Sequence, residues 1–344
     1  MATSSTNLVN ALGAGTGVDL KALAQGLVDA VIAMAADPHD RWRPRPVLVT
    51  RAQDMQQCRG MRMGYAPLLS LVEPALAQGY KRLAVIGIPC QIYALRAIQP
   101  QLEREQGLQA LYVIGTPCSD NTTTENFHRF LGLISDRPQD ISYVEFRADY
   151  KVEVRTTQGE TRLIPFLNLP LSTLPPDFFP LTCRTCVDYT NVLSDITVGY
   201  MGGHGQQWLL VRNARGQAML DGIHNQLITS EPISKGRREG AVRGFMANTE
   251  RAAGGLPLRR MPAWIKPLVN WLMPRVGPRG LEFARARVEM KAIESILHLR
   301  REAPARLKNM LPQHVWQLAA RYGLAPMAET TPSAHANDTF DRKV

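Results

Sequence analysis

No stretch of this 344-residue sequence approaches the roughly 20 uninterrupted apolar residues that a membrane-spanning helix needs. Positive charge is missing from the start: Met1 to Thr16 is small and polar, and no Lys or Arg precedes Lys21. A secretory leader carries a positive start and a continuous apolar run, so a cytoplasmic location is expected. Cysteine is scarce and odd in number: five residues, Cys58, Cys90, Cys118, Cys183 and Cys186. That excludes a disulfide framework and points to metal binding or redox chemistry in a reducing compartment. Dominance by any one residue type is also absent. With 45% hydrophobic and 20% charged residues the composition is globular, enough for one large domain or two smaller ones.

The net charge of +10 is unevenly spread. Between Leu256 and Met310 there are 12 Lys/Arg against 4 Asp/Glu. A basic face attracts nucleic acid, anionic lipid, an acidic electron carrier or a carboxylate-bearing substrate; a solvated helix surface is the plainer alternative. No basic–aromatic recognition module accompanies the charge, so nucleic acid is not expected.

Asp29–Ala35 and Pro46–Thr50 read as short buried strands, with Pro-broken loops between them. Tyr65–Gln78 has helical periodicity. The run Leu83–Ile88 ends in Gly-Ile-Pro-Cys and leads into a helix from Gln91 to Gln106. The pattern then repeats: Ala110–Ile114, Gly-Thr-Pro-Cys, and a helix from Thr123 to Leu133. Strands alternating with helices predict an α/β fold with a mostly parallel sheet core and helices on both faces. Ile141–Arg147, Lys151–Thr157 and Arg162–Phe166 read as an added antiparallel portion, turning at Gln158-Gly159. Ile196–Tyr200 and Trp208–Arg212 are two further strands. A long helix from Leu281 to about Arg301 anchors a C-terminal helical segment.

The two Gly-x-Pro-Cys loops carry the strongest chemical signal. In a parallel sheet both sit at the C-terminal edge, where α/β folds place their ligands. Cys183-Arg184-Thr185-Cys186 adds a close pair, and Cys90, Cys118, Cys183 and Cys186 together suffice for a 4Fe-4S cluster or a zinc ion. Buried structural thiols are the bland alternative for Cys90 and Cys118. Asn121, Thr122, Thr123 and Thr124 precede a helix, where such side chains cap the helix or cradle a phosphate. Arg59-Gly60-Met61-Arg62 brings two guanidinium groups around a glycine, suited to a phosphate or ribose contact. Gly199, Gly202 and Gly203 permit close backbone approach to a flat cofactor, or form a tight turn.

The segments GIPCQ (Gly87–Gln91), GTPCSDNTTTENF (Gly115–Phe127), CRTCVDYTN (Cys183–Asn191), SDITVGYMGG (Ser194–Gly203) and GPRGLEFAR (Gly277–Arg285) together resemble the beta subunit family of coenzyme F420 hydrogenases and dehydrogenases. Within it the chain is similar to the ferredoxin-dependent branch of chlorophyll metabolism, which holds iron–sulfur divinyl chlorophyllide 8-vinyl reductases and 7-hydroxymethyl chlorophyll reductase. The run Ala247–Pro262 favours the 8-vinyl reductases. The resemblance implies FAD and 4Fe-4S cofactors, with Cys90, Cys118, Cys183 and Cys186 matching cluster ligands. It implies flavin surroundings at Arg59–Arg62, Asn121–Thr124 and Asp195–Gly203. Relatives commonly begin with a cysteine-rich, ferredoxin-like segment. No cysteine precedes Cys58 here, so a shorter start, or a partner chain supplying that part, is expected.

On this resemblance the expected activity is reduction of the 8-vinyl group of divinyl (proto)chlorophyllide with electrons from ferredoxin. The alternatives are 7-hydroxymethyl chlorophyll reduction, deazaflavin-linked oxidoreduction, or a non-enzymatic electron-transfer subunit. Asp188, Tyr189, Asp195 and His128 are the candidate proton donors. Ferredoxin, a tetrapyrrole substrate, a second copy of the chain and the surface of photosynthetic membranes are the expected partners. The expected organisation is a flexible leader (1–20), a flavin and iron–sulfur core (21–255), a basic helical segment (256–325) and a disordered tail (326–344).

Overall fold

The computed structural model describes residues 26–147, 149–199, 207–222, 227–228, 230–252 and 261–326. The leader, the tail, Gly202 and Gly203 lie outside the described residues. Six strands form the central sheet: β1 (Ala30–Ala36), β2 (Pro44–Val49), β3 (Arg82–Gly87), β4 (Ala110–Gly115), β8 (Ile196–Gly199) and β9 (Trp208–Val211). Their order is β2-β1-β3-β4-β8-β9, with β1, β3, β4 and β8 mutually parallel. The two outer strands, β2 and β9, run antiparallel to their neighbours, a direction the apolar runs did not specify.

Period-two alternation divides each strand between two cores. Ile32, Leu83, Val85, Leu111 and Val113 pack under helices α1 (Val72–Ala77) and α2 (Pro89–Glu105), meeting Leu76, Ile92 and Leu95. On the other face Val31, Ala84, Ile114, Ile196 and Val198 meet Met55 and Met219. Both faces are thus covered, as an α/β sheet requires.

The expected helix over Tyr65–Gln78 is shorter: a 3-10 turn spans Leu68–Leu71 and α1 begins at Val72. Pro74 lacks an N–H and is tolerated in the first turn of a helix, so the α-helix starts just ahead of it.

Helix α3 (Thr124–Ile134) follows β4 and packs Phe127, Phe130 and Leu131 on the meander β5 (Ile141–Phe146), β6 (Lys151–Thr156) and β7 (Thr161–Pro165). The chain returns through the short helix α4 (Leu181–Arg184) to β8. After α5 (Ala214–Asp221) come α6 (Arg238–Ala252), α7 (Lys266–Val276), α8 (Leu281–Glu302), α9 (Leu307–Met310) and α10 (Gln313–Ala320); the short strands β10 (Ser234–Lys235) and β11 (Arg279–Gly280) pair with each other. The long helix α8 packs against α6, α10 and α4. Its buried side chains include Glu289, Lys291, Glu294 and His298, so the basic C-terminal stretch is partly interior and not wholly a solvated face.

Candidate functional site

The parallel strands β3 and β4 end side by side, Gly87 opposite Gly115, so both Gly-x-Pro-Cys loops leave the same sheet edge. Pro89 opens α2 and the Gln91 side chain accepts a hydrogen bond from Ile88 N–H, fixing Cys90 in the first helical turn. Across the rim lies Asn191, fully buried and at φ 58, a left-handed conformation that Asn adopts more readily than other side chains. Its Nδ2 donates to the Gly87 carbonyl at 2.8 Å and more weakly to that of Thr116. It fits because Gly115 has no side chain: a Cβ there would lie 2.7 Å from Asn191 Cγ. Cys118 N–H donates to the Tyr189 carbonyl at 3.0 Å, joining the second loop to the segment that follows Cys186.

These contacts bring Cys90, Cys118, Cys183 and Cys186 to one rim, with Cys183 within electrostatic reach of each of the other three and Cys118 of Cys90 and Cys186 as well. Burial pushes the thiols of Cys90, Cys118 and Cys186 up. Neighbouring thiols push the same way, and for Cys118 the Asp120 carboxylate does too. None of the five cysteines is in a disulfide, and Cys90 is the exposed member of the set. Among the described residues, no three His, Cys, Asp or Glu side chains converge as a single metal ion requires. Cys58 instead packs against the apolar core on one sheet face.

Helix α8 supports the group from below. Lys291, almost fully buried, donates from Nζ to the Cys183 carbonyl at 2.8 Å, Asp120 Oδ1 at 3.0 Å and Glu294 Oε2 at 3.0 Å. Ser295 Oγ donates to the Cys186 carbonyl at 3.2 Å, and the Arg287 guanidinium donates to Ser119 Oγ. Tyr65 Oη lies 3.7 Å from Cys183 Sγ and donates to the Asn121 carbonyl at 3.2 Å. Asn191, Lys291, Ser295, Arg287 and Tyr65 were not singled out as site residues from the sequence.

The candidate proton donors separate. Asp188 lies beside the thiols: its carbonyl accepts from Cys186 Sγ at 3.7 Å, and its half-buried carboxyl accepts from Val192 N–H. Burial raises its pKa above the ordinary aspartate range, against the pull of those backbone donors. Tyr189 is buried, with the Arg287 guanidinium 5.7 Å from its ring centroid. Asp195 has zero exposure and both oxygens are engaged, by Arg96, Val113 N–H, Asn213 and Arg215. His128 stands apart on α3, with Nε2 2.8 Å from Asp40.

The polar run before α3 is largely occupied within the protein. Asn121 exchanges two hydrogen bonds with the Gly64 backbone, Thr122 Oγ1 donates to the Phe178 carbonyl, and Thr123 caps α3 through Asn126 N–H. Thr124 is buried, its Oγ1 2.6 Å from where a Gly64 Cβ would stand. Arg59 and Arg62 differ. Arg62 donates to the carbonyls of Arg59 and Gly60, where Gly60 has φ 93, yet Nε of both arginines is buried with no partner among the described residues. Two guanidinium groups with unmet donors suit an anionic ligand. Gly199, at φ 146, ends β8 where any side chain would be strained.

This is an α/β protein whose cysteines, distant in sequence, gather at the C-terminal rim of a parallel sheet. The chain belongs to the coenzyme F420 hydrogenase/dehydrogenase beta subunit family, and so among oxidoreductases. The family's N-terminal profile matches residues 13–73 and its C-terminal profile residues 80–235. An uncharacterized Nostoc protein, all1601, is 34% identical over 89% of this chain and 75% of its own length. The chloroplastic 7-hydroxymethyl chlorophyll a reductase of Oryza sativa subsp. japonica is 32% identical over 89% of this chain, which spans 66% of that enzyme. A chain from the F420-reducing nickel–iron hydrogenase complex of Methanosarcina barkeri shares the fold. Its TM-score is 0.56 at 22% identity, covering 65% of this chain and 76% of that one.

Proposed function

We propose that the chain is an iron–sulfur flavoprotein that reduces a tetrapyrrole with electrons from ferredoxin, acting on the 8-vinyl group of divinyl (proto)chlorophyllide. The observation that carries the redox reading is the cysteine rim. Four thiols from three distant segments lie at one rim, Cys183 within electrostatic reach of each of the other three, with Asn191 and α8 bracing the segments. A set of four cysteines is the ordinary ligand set of a 4Fe-4S cluster, which is larger than one ion and holds its ligands farther apart. Cys90, Cys118, Cys183 and Cys186 would hold it. Arg59 and Arg62, with their unmet Nε donors, would meet a flavin phosphate. Held there, a cluster would supply single-electron relay and a flavin two-electron storage, which would match a one-electron donor to a two-electron reduction.

The chain's own part is positioning and proton supply. Reducing a vinyl group to an ethyl group consumes two protons. One would come with the hydride that a reduced flavin supplies, and Asp188 would supply the other, because burial keeps its carboxyl protonated to higher pH than an ordinary aspartate. Lys291 holds the Cys183 carbonyl and keeps a positive charge beneath the thiolates that a cluster requires. The segments Gly115–Phe127 and Ala247–Pro262 support the 8-vinyl substrate by resemblance. A second reading, 7-hydroxymethyl chlorophyll reduction, is favoured by similarity to the rice enzyme.

The test is anaerobic reconstitution with iron, sulfide and FAD, then incubation of the reduced protein and ferredoxin with each pigment, resolved by chromatography. A broad absorbance shoulder at about 400 nm and roughly four irons per chain support the cluster. Conversion of the divinyl pigment supports the first substrate, and conversion of the hydroxymethyl pigment the second. Protein that binds no iron under these conditions sinks the reading. Turnover that needs an added partner chain favours an electron-transfer subunit instead.

A further inference from the structure

Helix α7 and the turn before it, Ala263–Ile265, face the wrong way for a packed amphipathic helix. Large apolar side chains are exposed along them: Trp264 at 79%, Leu268 at 59%, Trp271 at 56%, then Leu272 and Val276. Steps of four, three, one and four residues put these side chains along one side of the helix. The opposite side makes the polar contact: Asn270 Nδ2 donates to Asn168 Oδ1 at 2.8 Å. No residue of α7 is fully buried. An apolar stripe normally turns to the core, and one held in solvent marks a surface that something else covers.

Charge identifies the cover. The sequence has no Asp or Glu between Glu250 and Glu282, while Arg275 projects from the same side of α7 as the apolar residues. Arg275 lies over the Trp271 ring, 4.4 Å from its centroid, carrying a cation within the stripe. A second copy docked face to face would set this positive patch against itself. An anionic lipid surface meets all three features. Tryptophan rings settle at the boundary of headgroup and acyl chain, leucine and valine enter the acyl region, and Lys and Arg meet the headgroups. At about 16 Å long, α7 can lie in that boundary but cannot cross the roughly 30 Å core. Among the described residues no helix is long and apolar enough to do so.

We propose that the Trp264–Val276 face seats the chain on an anionic lipid surface. The helix lies in the plane of the interface with Trp264, Leu268 and Trp271 inserted. This docking is independent of the tetrapyrrole reading and holds whatever the substrate.

The test is flotation of the full chain with phosphatidylcholine vesicles, with and without phosphatidylglycerol. The chain floats with the anionic vesicles, tryptophan emission shifts to the blue, and added salt weakens both effects. Leu268→Gln combined with Trp271→Ser weakens partitioning at least about tenfold, the loss expected when two apolar side chains no longer enter the acyl region. Both residues are exposed, so the circular dichroism and melting temperature of the variant stay at wild-type values. Failure of the wild type to float overturns the proposal, as does equal flotation of the folded double variant. A dimer that the double variant dissociates, seen by sedimentation without vesicle binding, also overturns it and makes a second copy the occupant.

Discussion

The Asn191 side chain occupies the space that Gly115 leaves by having no Cβ, and from there its Nδ2 reaches the Gly87 carbonyl at 2.8 Å. One amide thus ties together the loops that carry Cys90 and Cys118. Gly115→Ala would put a methyl group 2.7 Å from Asn191 Cγ. It is expected to destabilise the fold by about 1–3 kcal/mol through overpacking. Asn191→Gly keeps the left-handed backbone and removes the tie, so it isolates the side chain's part, about 1–3 kcal/mol for the carbonyl left unpaired. Chemical denaturation measures both, and iron content after reconstitution falls in both. Wild-type iron content in Asn191→Gly would show that the tie does not shape the rim.

Serine at any one of Cys90, Cys118, Cys183 or Cys186 is expected to lower iron below the roughly four per chain of an intact cluster. Cys58→Ser is the control. Cys58 packs against the core on one sheet face, and its substitution is expected to leave iron and absorbance unchanged.

Asp188→Asn removes the proposed proton source with little change of shape. Turnover by pigment chromatography is expected to fall by about 10²–10⁴-fold, the usual range for a lost general acid. Flavin and iron content stay at wild-type levels. The matching substitution His128→Asn, at a residue paired with Asp40 away from the thiols, leaves turnover intact.

Arg59→Gln and Arg62→Gln each remove a charged donor from the proposed flavin phosphate site. Each is expected to weaken FAD binding by about 1.5–3 kcal/mol, roughly 10- to 150-fold in Kd. Quenching of FAD fluorescence on titration reads this directly.

His298 gives the pH prediction. Burial, with the nearby Arg184 and Arg301 guanidinium groups, lowers its pKa from 6.5 to about 4. Arg301 donates to Nδ1 at 2.6 Å, which requires the neutral ring. Below pH 6.5 the unfolded chain takes up a proton that the folded chain refuses until about pH 4. His298 therefore contributes a loss of stability as pH falls through that window and none above it. His298→Gln flattens the stability profile between those values in urea denaturation run at several pH values.

Much of the sheet was legible because β3 and β4 are apolar runs that end at a glycine, where Gly-x-Pro-Cys marks both where the strand stops and where the helix starts. Direction was not legible at β2 and β9, since alternation reports which face a side chain takes and not which way a strand runs. The four rim cysteines stood out by spacing. Asn191 did not, because its role depends on the Gly87 carbonyl, 104 residues away in sequence, and on a missing Cβ at Gly115. Lys291 was hidden for a related reason. A lysine in a basic helical stretch reads as solvent-facing until Asp120, Glu294 and the Cys183 carbonyl close around it.

The three-stranded meander sits in the chain between Cys118 and Cys183, and so divides the rim thiols into an early pair and a late pair. Newly made chain up to Cys118 holds half of the thiols. The other half lies beyond the meander, on and just after α4. Iron delivered earlier would meet an incomplete set of ligands. In a chain that holds a cluster at this rim, insertion would therefore be a late event on a finished scaffold, with Cys90 the exposed thiol of the set.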